Sequence, residues 1–437
     1  MSIIDPTQTS AASFSTRRRR LVQGLVAAGA SAPLIAACSK AEEAGFTPNV
    51  PTSGAAFGSE GSAATDETGR RLDTAVDSRI LVLVDLQGGN DGLSTVVPAG
   101  SGRYHDLRPD LRVEDALEID DEVGLHPNLA RLHARGVATV EGVGPVDGDL
   151  SHFAMTARWE RGDVSGQNAL RTGFLGRLAD TLDSGSPLVG ASMDGTTSWL
   201  TNATAATLSL SGRNDLWFLQ PTDWDEASAF QAGLRRLGEG REGRAGMISH
   251  SHTQLLDLAA ALPDEDGDEI DWEQSMLSEG GSLGQQLYLA ADLIEADLGM
   301  RIVYTRIGGF DTHDDHQYEH PRLMGQVDAA IDGFLERMED AGRANDVLVA
   351  TTSEFGRRVP ENGRGLDHGS ASTMLLAGAV PSGRFGEPSP LDDLDADDNL
   401  RVTVPFDRYL GTLAESWLGV EAASILPSEP DTLDIFA

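Results

Sequence analysis

The sequence predicts an α/β fold, in which a doubly wound, largely parallel sheet carries helices on both faces. Continuous apolar runs at 80–84, 302–304 and 347–350 are typical of strands that are covered on both sides. Between the last two runs, apolar side chains from Met324 to Met338 recur at helical spacing, which predicts a helix with one face on the sheet. This alternation of strand, helix and strand favours parallel strand order.

The remaining elements are less regular in the sequence. Residues 137–140 predict another strand, and 283–298 predict a helix that leads into the strand at 302–304. Residues 165–275 contain short strand-like pieces, such as 207–210, between many turn residues. We expect one folded domain over residues 78–437.

Charge excludes several classes of partner. The chain of 437 residues has a formal net charge of −36, and 40% of its residues are hydrophobic, enough for a sizeable core. A surface this acidic argues against nucleic acid, whose binding depends on cationic contacts to phosphates. It also argues against docking of the folded body on anionic lipid, and it suits a saline medium, where ions screen self-repulsion. The oligomeric state stays open.

Residues 1–37 have the layout of an export signal. Four arginines at 17–20 precede an apolar stretch of small residues at 21–37, like the n-region and h-region of a secretory signal. Paired arginines before a modest apolar stretch resemble a twin-arginine signal. The alternative is a short amphipathic helix, but the stretch shows no helical alternation of polar and apolar residues. We therefore expect export to the periplasm or cell envelope.

Cys38 is the only cysteine, and it ends the apolar stretch in the sequence Ile-Ala-Ala-Cys. This resembles a lipobox, the bacterial lipoprotein cleavage motif whose cysteine becomes lipidated. The position predicts a membrane anchor at Cys38, with cleavage of an ordinary signal nearby as the alternative. Residues 38–77 are rich in Gly, Ser, Ala, Thr and Glu without a period, which predicts a flexible tether.

Carboxylates and histidines follow the three predicted buried strands. Asp85 comes directly after the first run, and Glu354 follows the third. The stretch 308–320 follows the second run and carries Asp311, His313 and two further histidines. An isolated loop of this kind is more often a solvated polar loop, but similar chemistry at several strand ends favours a site.

These side chains predict a divalent metal site, together with His368 from later in the chain. The carboxyl ends of parallel strands share one edge of a sheet, so side chains that follow them can converge. Clustered carboxylates resist ionisation without a cation, and carboxylate and imidazole are common metal ligands. Zinc, calcium, magnesium and manganese all stay open as the ion.

Ser151 lies at a predicted strand-to-helix junction, which leaves two roles open. It is either the helix N-cap or a nucleophile, and the two roles are compatible. His152 is a poor candidate as the base for Ser151, because adjacent residues rarely bond each other. Activation of the hydroxyl by a metal is the more natural alternative.

Arg357 and Arg358 come just after Glu354 and are candidates for binding an anion. A guanidinium can hold a phosphate or sulfate through two parallel hydrogen bonds. In so acidic a chain, pairing with local carboxylates is an equally good alternative.

Five stretches together resemble the DUF1501 family, a group of exported bacterial proteins of largely unassigned function. The family is in turn similar to the alkaline phosphatase and sulfatase superfamily, whose doubly wound sheet holds one or two divalent metals beside a nucleophile. The matching stretches lie at 83–93, 151–153, 309–313, 353–358 and 367–369.

The resemblance implies roles for residues of this chain. Ser151 matches the nucleophile, and His368 matches a late histidine ligand. The remaining implied metal ligands are the first-strand acid Asp85, the pair Asp311 and His313, and Glu354 as the acid of a second metal. The implied activity is metal-dependent hydrolysis of phosphate or sulfate esters in the cell envelope. The alternative is a non-catalytic envelope protein that keeps the fold for binding or assembly.

Overall fold

The structure, a computed structural model, describes residues 78–436 apart from 184–185, 187, 203, 212–224, 237–252, 254–255 and 257–274. The predicted export signal at 1–37, Cys38 and the tether at 38–77 lie outside the described residues. Within the described part, no helix is both long and apolar enough to cross a membrane.

The described part of the chain contains fourteen strands and ten α-helices. The strands are β1 (Ile80–Gln87), β2 (Val96–Val97), β3 (Leu117–Glu118), β4 (Gly124–Leu125), β5 (Ala138–Gly144), β6 (Gly190–Ser192), β7 (Thr207–Ser209), β8 (Ile302–Gly308), β9 (Val347–Thr352), β10 (Gly356–Arg357), β11 (His368–Gly369), β12 (Ser372–Gly378), β13 (Gly383–Gly386) and β14 (Val404–Pro405). The α-helices are α1 (Gly92–Thr95), α2 (Gly102–Leu107), α3 (Ala130–Arg135), α4 (His152–Arg161), α5 (Phe174–Leu182), α6 (Asp225–Arg236), α7 (Gly281–Glu295), α8 (His316–Asp340), α9 (Phe406–Thr412) and α10 (Ala422–Ile425).

Nine of the described strands form one sheet, in the order β13-β5-β12-β9-β1-β8-β6-β7 with β14 beside β5. Strand β12 runs antiparallel to both of its neighbours, and the other pairs in this sheet are parallel. The predicted largely parallel sheet is confirmed. The antiparallel β12 has a consequence for function, because its first residues lie at the same edge as the last residues of β1, β8 and β9.

Helices cover both faces of the sheet, as the apolar runs predict. In β1, Val82 and Val84 belong to a buried cluster that includes residues of α7 and α8. Leu81 and Leu83 point to the opposite face and belong to a second buried cluster with residues of α5 and α9. Because alternate side chains of one strand are buried in two different clusters, the strand is covered on both sides and the fold is doubly wound.

The predicted strands were too short at their carboxyl ends. The first run was predicted to end at residue 84, but β1 continues to Gln87, and Asp85 pairs with Arg306 and Thr352 within the ladder. Polar side chains do not stop a strand whose backbone still finds partners on both sides. The side chains that lead into the site are therefore held by the sheet itself, and not by a free loop.

Candidate functional site

The candidate site lies at the edge of the sheet where the parallel strands end. Asp311 follows β8, and Glu354 follows β9. His152 begins α4, which follows β5, and His368 begins β11, which precedes the antiparallel β12. Strand β11 pairs with β10 so that His368 lies opposite Arg357. Four separate parts of the sequence therefore meet at one edge.

Three imidazoles surround the Asp311 carboxylate. The Nε2 atom of His368 lies 3.1 Å from Asp311 Oδ1, and the Nε2 atom of His313 lies 3.2 Å from the same oxygen. The Nε2 atom of His152 lies 3.4 Å from Asp311 Oδ2, and the Nε2 atoms of His313 and His368 are 2.9 Å apart. We call His152, His313 and His368 the open histidine cluster, since each side chain is between about a quarter and a half exposed.

The other nitrogen of each ring in the open histidine cluster has its own acceptor. His152 Nδ1 lies 2.7 Å from Glu354 Oε1. His313 Nδ1 lies 3.3 Å from Asp367 Oδ1, and His368 Nδ1 lies 2.9 Å from the carbonyl oxygen of Leu150. An acceptor at Nδ1 favours the tautomer with a proton there, so each Nε2 presents a lone pair to the site.

This donor set fits a metal ion. His152 Nε2 is shielded from solvent and has no hydrogen-bond partner among the described residues, which is an unfavourable state for a buried polar atom. Ligand atoms of His152, Asp311 and His368 all lie within 4.8 Å of one another. Two ligands of one zinc ion lie about 3.3 Å apart when bonds of 2.0–2.1 Å meet at a tetrahedral angle. The three Nε2 atoms lie 3.1–3.4 Å from Asp311, close to that value, and those of His313 and His368 are 2.9 Å apart.

The electrostatics keep Asp311 ionised. Burial alone raises its pKa, but the hydrogen bond from Arg357 and the interaction with His368 outweigh this and lower the pKa of Asp311 to about 2. The hydrogen bond with Glu354 raises the pKa of His152, whereas burial lowers the pKa of His368. At neutral pH the site therefore offers a carboxylate anion and at least one neutral imidazole.

Glu354 lies behind His152. It is buried, and the backbone N–H of Gly88 donates to its two carboxylate oxygens at 2.9 and 3.1 Å. Asp85 is also buried and accepts a hydrogen bond from the Tyr304 hydroxyl at 2.9 Å. Burial, followed by repulsion from Glu354, raises the pKa of Asp85 to about 7. Both predicted ligands are therefore buried, Glu354 against His152 and Asp85 against Tyr304, as a pair that cannot easily carry two negative charges without a cation or a proton.

Arg357 is buried and holds the site loops together. It donates to Asp311 Oδ1 at 2.8 Å and to the carbonyl oxygens of Gly89, Leu366 and Phe310 at 2.7–2.9 Å, as well as to the carbonyl of Gly88. With its side chain fully buried, this guanidinium favours a role in orienting Asp311 over direct contact with a dissolved anion.

Arg358 is half-buried, and its Nε donates to the carbonyl oxygen of His368 at 3.3 Å. This single long hydrogen bond leaves most of its guanidinium donors for other partners. Anion binding therefore stays a prediction for Arg358. The buried Arg357 is the weaker candidate of the two.

Ser151 occupies the N-cap position of α4, directly before His152. Its side chain makes no capping hydrogen bond, and its backbone N–H donates to Asp149 Oδ1 at 2.9 Å. The preceding residue, Leu150, has a left-handed φ of 54°. The chain thus turns sharply just before Ser151, whose hydroxyl does not cap the helix.

A family model described as "Protein of unknown function (DUF1501)" matches residues 78–387, which is well over half of the chain. The chain belongs to the DUF1501 family. No curated protein matches it.

Solved structures similar to this DUF1501 chain include members of the alkaline phosphatase superfamily. The lipoteichoic acid synthase LtaP from Listeria monocytogenes is 8% identical, with 83% of this chain and 77% of that chain covered at a TM-score of 0.35. A protein in the alkaline phosphatase superfamily from Vibrio parahaemolyticus is 10% identical, with 78% and 67% covered at a TM-score of 0.35. The alkaline phosphatase from the Antarctic bacterium TAB5 is 9% identical, with 69% and 91% covered at a TM-score of 0.29. Scores this low say nothing about activity.

Two histidines of the stretch 308–320 do not reach the site of the DUF1501 chain. His316 and His320 lie one turn apart on α8, buried and stacked with ring centroids 4.9 Å apart. His126 is also buried and packs edge-on to His320 at 5.6 Å. We call His126, His316 and His320 the buried histidine cluster. It lines a cavity of about 210 Å³ beside the buried ion pair of Arg108 and Asp91.

Sequence reasoning missed His152 and Asp367 as parts of the site. The sequence offers His152 only as a base for Ser151, for which adjacency makes it unsuitable. The signal that could have found it is its place at a strand-to-helix junction, the same signal that selected Ser151. Asp367 gave no such signal, because its contact with His313 depends on how a distant loop folds back.

Proposed function

We propose that this protein is a metal-dependent hydrolase of phosphate or sulfate esters that works in the cell envelope. The observation that carries the proposal is the convergence of Asp311 and the open histidine cluster, with each outer ring nitrogen held by an acceptor. A half-exposed cleft built in this way serves a metal that must also meet a substrate. Ser151, whose hydroxyl does not cap its helix, begins the same segment.

Zinc is the ion that we propose for the site. Three imidazole nitrogens and one carboxylate form a borderline donor set, which suits zinc and other transition metals. Calcium and magnesium prefer sites made of oxygen atoms. Beside the open histidine cluster only Asp311 supplies oxygen, so we place calcium and magnesium below zinc.

Some residues of the site would bind the metal ion, and others position those ligands. Asp311, His152, His313 and His368 would hold the ion. A bound divalent ion supplies Lewis-acid polarisation of an ester oxygen and lowers the pKa of a nearby hydroxyl or water. Glu354 fixes the ring of His152 and raises its basicity, because it accepts the Nδ1 proton.

Ser151 is the residue that we propose as the nucleophile. Its oxygen would bond to phosphorus or sulfur while the bond from that atom to the ester oxygen breaks, and the leaving alcohol would take up a proton. Water would then cleave the seryl ester and restore the hydroxyl. Direct attack by water is the alternative route, and the Ser151 substitution separates the two.

The experiment is a panel of chromogenic phosphate and sulfate esters with zinc, manganese, magnesium or calcium added to the metal-free protein. We expect turnover with at least one ester, and loss of that turnover in Ser151→Ala. Ser382→Ala removes an exposed serine between β12 and β13 and serves as the matched control. Retained turnover in Ser151→Ala would point to water as the nucleophile. No turnover with any ester and metal would instead favour a binding or assembly role.

We also propose that the chain is exported by a twin-arginine route and anchored in a membrane through a lipid at Cys38. The support is the run of arginines at 17–20 and the single cysteine at the end of the apolar stretch. Lysine at both Arg18 and Arg19 should block export, and Cys38→Ala should move the protein from the membrane fraction to the soluble fraction. A Cys38→Ala protein that stays with the membrane would contradict the anchor.

A further inference from the structure

Phe153 stands almost fully in solvent. Its side chain is 92% exposed, and the other large exposed hydrophobic side chains among the described residues are Val146, Phe230 and Tyr318. Single exposed apolar residues are common on protein surfaces, so exposure alone needs no explanation. The exposure of Phe153 is informative because of where the residue lies in the chain.

Phe153 is the second residue of α4 and directly follows His152. The Cα atoms of successive residues lie about 3.8 Å apart, and successive side chains of a helix point about 100° apart. His152 points into the site, where its Nε2 lies 3.4 Å from Asp311. Phe153 is therefore anchored one residue from the open histidine cluster, and its exposed ring belongs to neither buried cluster of the sheet.

Two other exposed apolar residues lie on the segments that carry the site. Val146 belongs to the same connection between β5 and α4, six residues before His152. Tyr318 lies in the first turn of α8, five residues after His313. Phe230, on α6, is the one of the four that lies on a segment without site residues. Three of the four therefore lie within six residues, along the chain, of a member of the open histidine cluster.

We propose that Phe153 is a binding subsite for the ring of the substrate, next to the anionic group held at the open histidine cluster. This rests on the proposed function, since it names the class of ester that the same site accepts. The ligand is an anionic ester on a ring with an apolar face, either an aryl group or a sugar ring. An exposed phenyl ring offers its face for stacking at little cost in side-chain entropy.

Charge explains why such a contact is useful here. The net charge of −36 repels an anionic ester over a distance set by the salt concentration. Contact with an apolar ring gains affinity without adding cationic residues to an acidic surface, and it does not weaken as salt rises. Binding energy from a part of the substrate that does not react can then position the part that does.

Calorimetry with phosphonates, which cannot be hydrolysed, tests this inference on the zinc-loaded full-length protein. Phenylphosphonate and a glucosyl phosphonate carry rings, and methylphosphonate has none. We expect at least one ring ligand to bind about tenfold more tightly than methylphosphonate. Phe153→Ser should remove that preference, whereas Phe153→Tyr should keep it. Tighter binding of phenylphosphonate would indicate an aryl substrate, and tighter binding of the glucosyl phosphonate would indicate a sugar substrate.

Phe230→Ser is the matched control, since it removes an exposed phenyl ring from α6. It should leave all three affinities unchanged, and unchanged zinc content in Phe153→Ser will show that the site is intact. Equal binding of the three phosphonates by the parent protein would overturn the inference, as would a preference that survives Phe153→Ser. The proposed hydrolase activity fails separately, if ring ligands bind through Phe153 but no ester is cleaved.

Discussion

Two clusters of three histidines draw on the same stretch of chain, 308–320, and differ in what their nitrogens face. In the open histidine cluster, the Nε2 atoms converge around one carboxylate while acceptors hold the Nδ1 atoms. In the buried histidine cluster, His126 Nδ1 accepts the backbone N–H of Asn128 at 3.0 Å. His316 bonds at both nitrogens, to Thr312 at 2.7 Å and to Ser94 at 3.3 Å.

The difference shows that three neighbouring histidines are not sufficient to form a metal site. His320 Nδ1 is the one buried ring nitrogen of the buried histidine cluster without a hydrogen-bond partner among the described residues, and a single lone pair cannot hold an ion. Burial also lowers the pKa values of His126, to about 4, and of His320, so both rings are neutral at pH 7. We therefore interpret the open histidine cluster as a metal-binding site and the buried histidine cluster as part of the structural core.

The largest expected effect is loss of the metal on removal of a ligand. His152→Asn should lower zinc affinity by more than about 100-fold, because it removes a direct ligand and also leaves Glu354 without its partner. His320→Asn is the matched change in the buried histidine cluster and should keep full zinc occupancy. Elemental analysis after dialysis against a weak chelator measures both. Equal zinc loss in the two variants would remove the distinction between the clusters.

The second prediction concerns acid stability and the buried histidine cluster. Burial, followed by the charge of His316, lowers the pKa of His126 from 6.5 in the unfolded chain to about 4. The unfolded state therefore binds more protons between these values, so this stability is present above pH 6.5 and is lost as pH falls through 4. This contribution of His126 to the free energy of unfolding is about 3 kcal/mol.

Urea unfolding of the metal-free protein between pH 7 and pH 4 measures this contribution. His126→Asn should flatten the pH dependence of the free energy of unfolding, because asparagine can still accept the Asn128 N–H without taking up a proton. Parallel pH profiles for the parent and the variant would show that His126 does not carry the acid sensitivity.

The third prediction concerns the carboxylate behind His152. Glu354→Gln keeps the shape of the side chain but removes the charge that holds the His152 ring, so zinc affinity should fall about 10-fold to 100-fold. Glu361→Gln is the control, since Glu361 accepts backbone hydrogen bonds from Asp110 and Leu111 away from the histidines. Competition with a fluorescent zinc chelator gives both affinities, and a Glu354→Gln value equal to the control would exclude this supporting role.

The smallest expected effect is at Asp367. Its hydrogen bond to His313 is 3.3 Å long and half exposed, whereas that of Glu354 to His152 is 2.7 Å long and the carboxylate is buried. Exposed charge pairs contribute little, so Asp367→Asn should lower zinc affinity by about threefold at most. The same chelator competition applies, and a loss larger than that of Glu354→Gln would reverse the ranking of the two carboxylates.

Much of the fold could be predicted because its strands are buried on both faces. Such strands give continuous apolar runs, and those at 80–84, 302–304 and 347–350 each lie in the central sheet. The antiparallel direction of β12 could not be predicted, because strand direction depends on tertiary connections and leaves no local pattern. Strand ends were also missed where polar residues such as Asp85 and Thr352 continue the ladder.

The site was only partly predictable for a related reason. Asp311, His313 and His368 lie together, although only the first two follow a strand and His368 begins β11. Glu354 also follows a strand and Asp85 lies near the end of one, but both side chains are buried, and the sequence spacing does not encode how deep a side chain lies. His316 and His320 could not be separated from His313 before the start of α8 was known, because helix initiation turns them away from the loop.

X-ray diffraction at the zinc absorption edge, on crystals of the protein grown with zinc, tests the central claim most directly. The anomalous signal locates the ion without reference to activity. We predict one strong peak within about 2.0–2.2 Å of Asp311 and of the Nε2 atoms of His152 and His368. A strong peak in the cavity beside His126 and His320 would contradict the assignment of the two clusters, and so would a zinc-soaked crystal with no peak at Asp311.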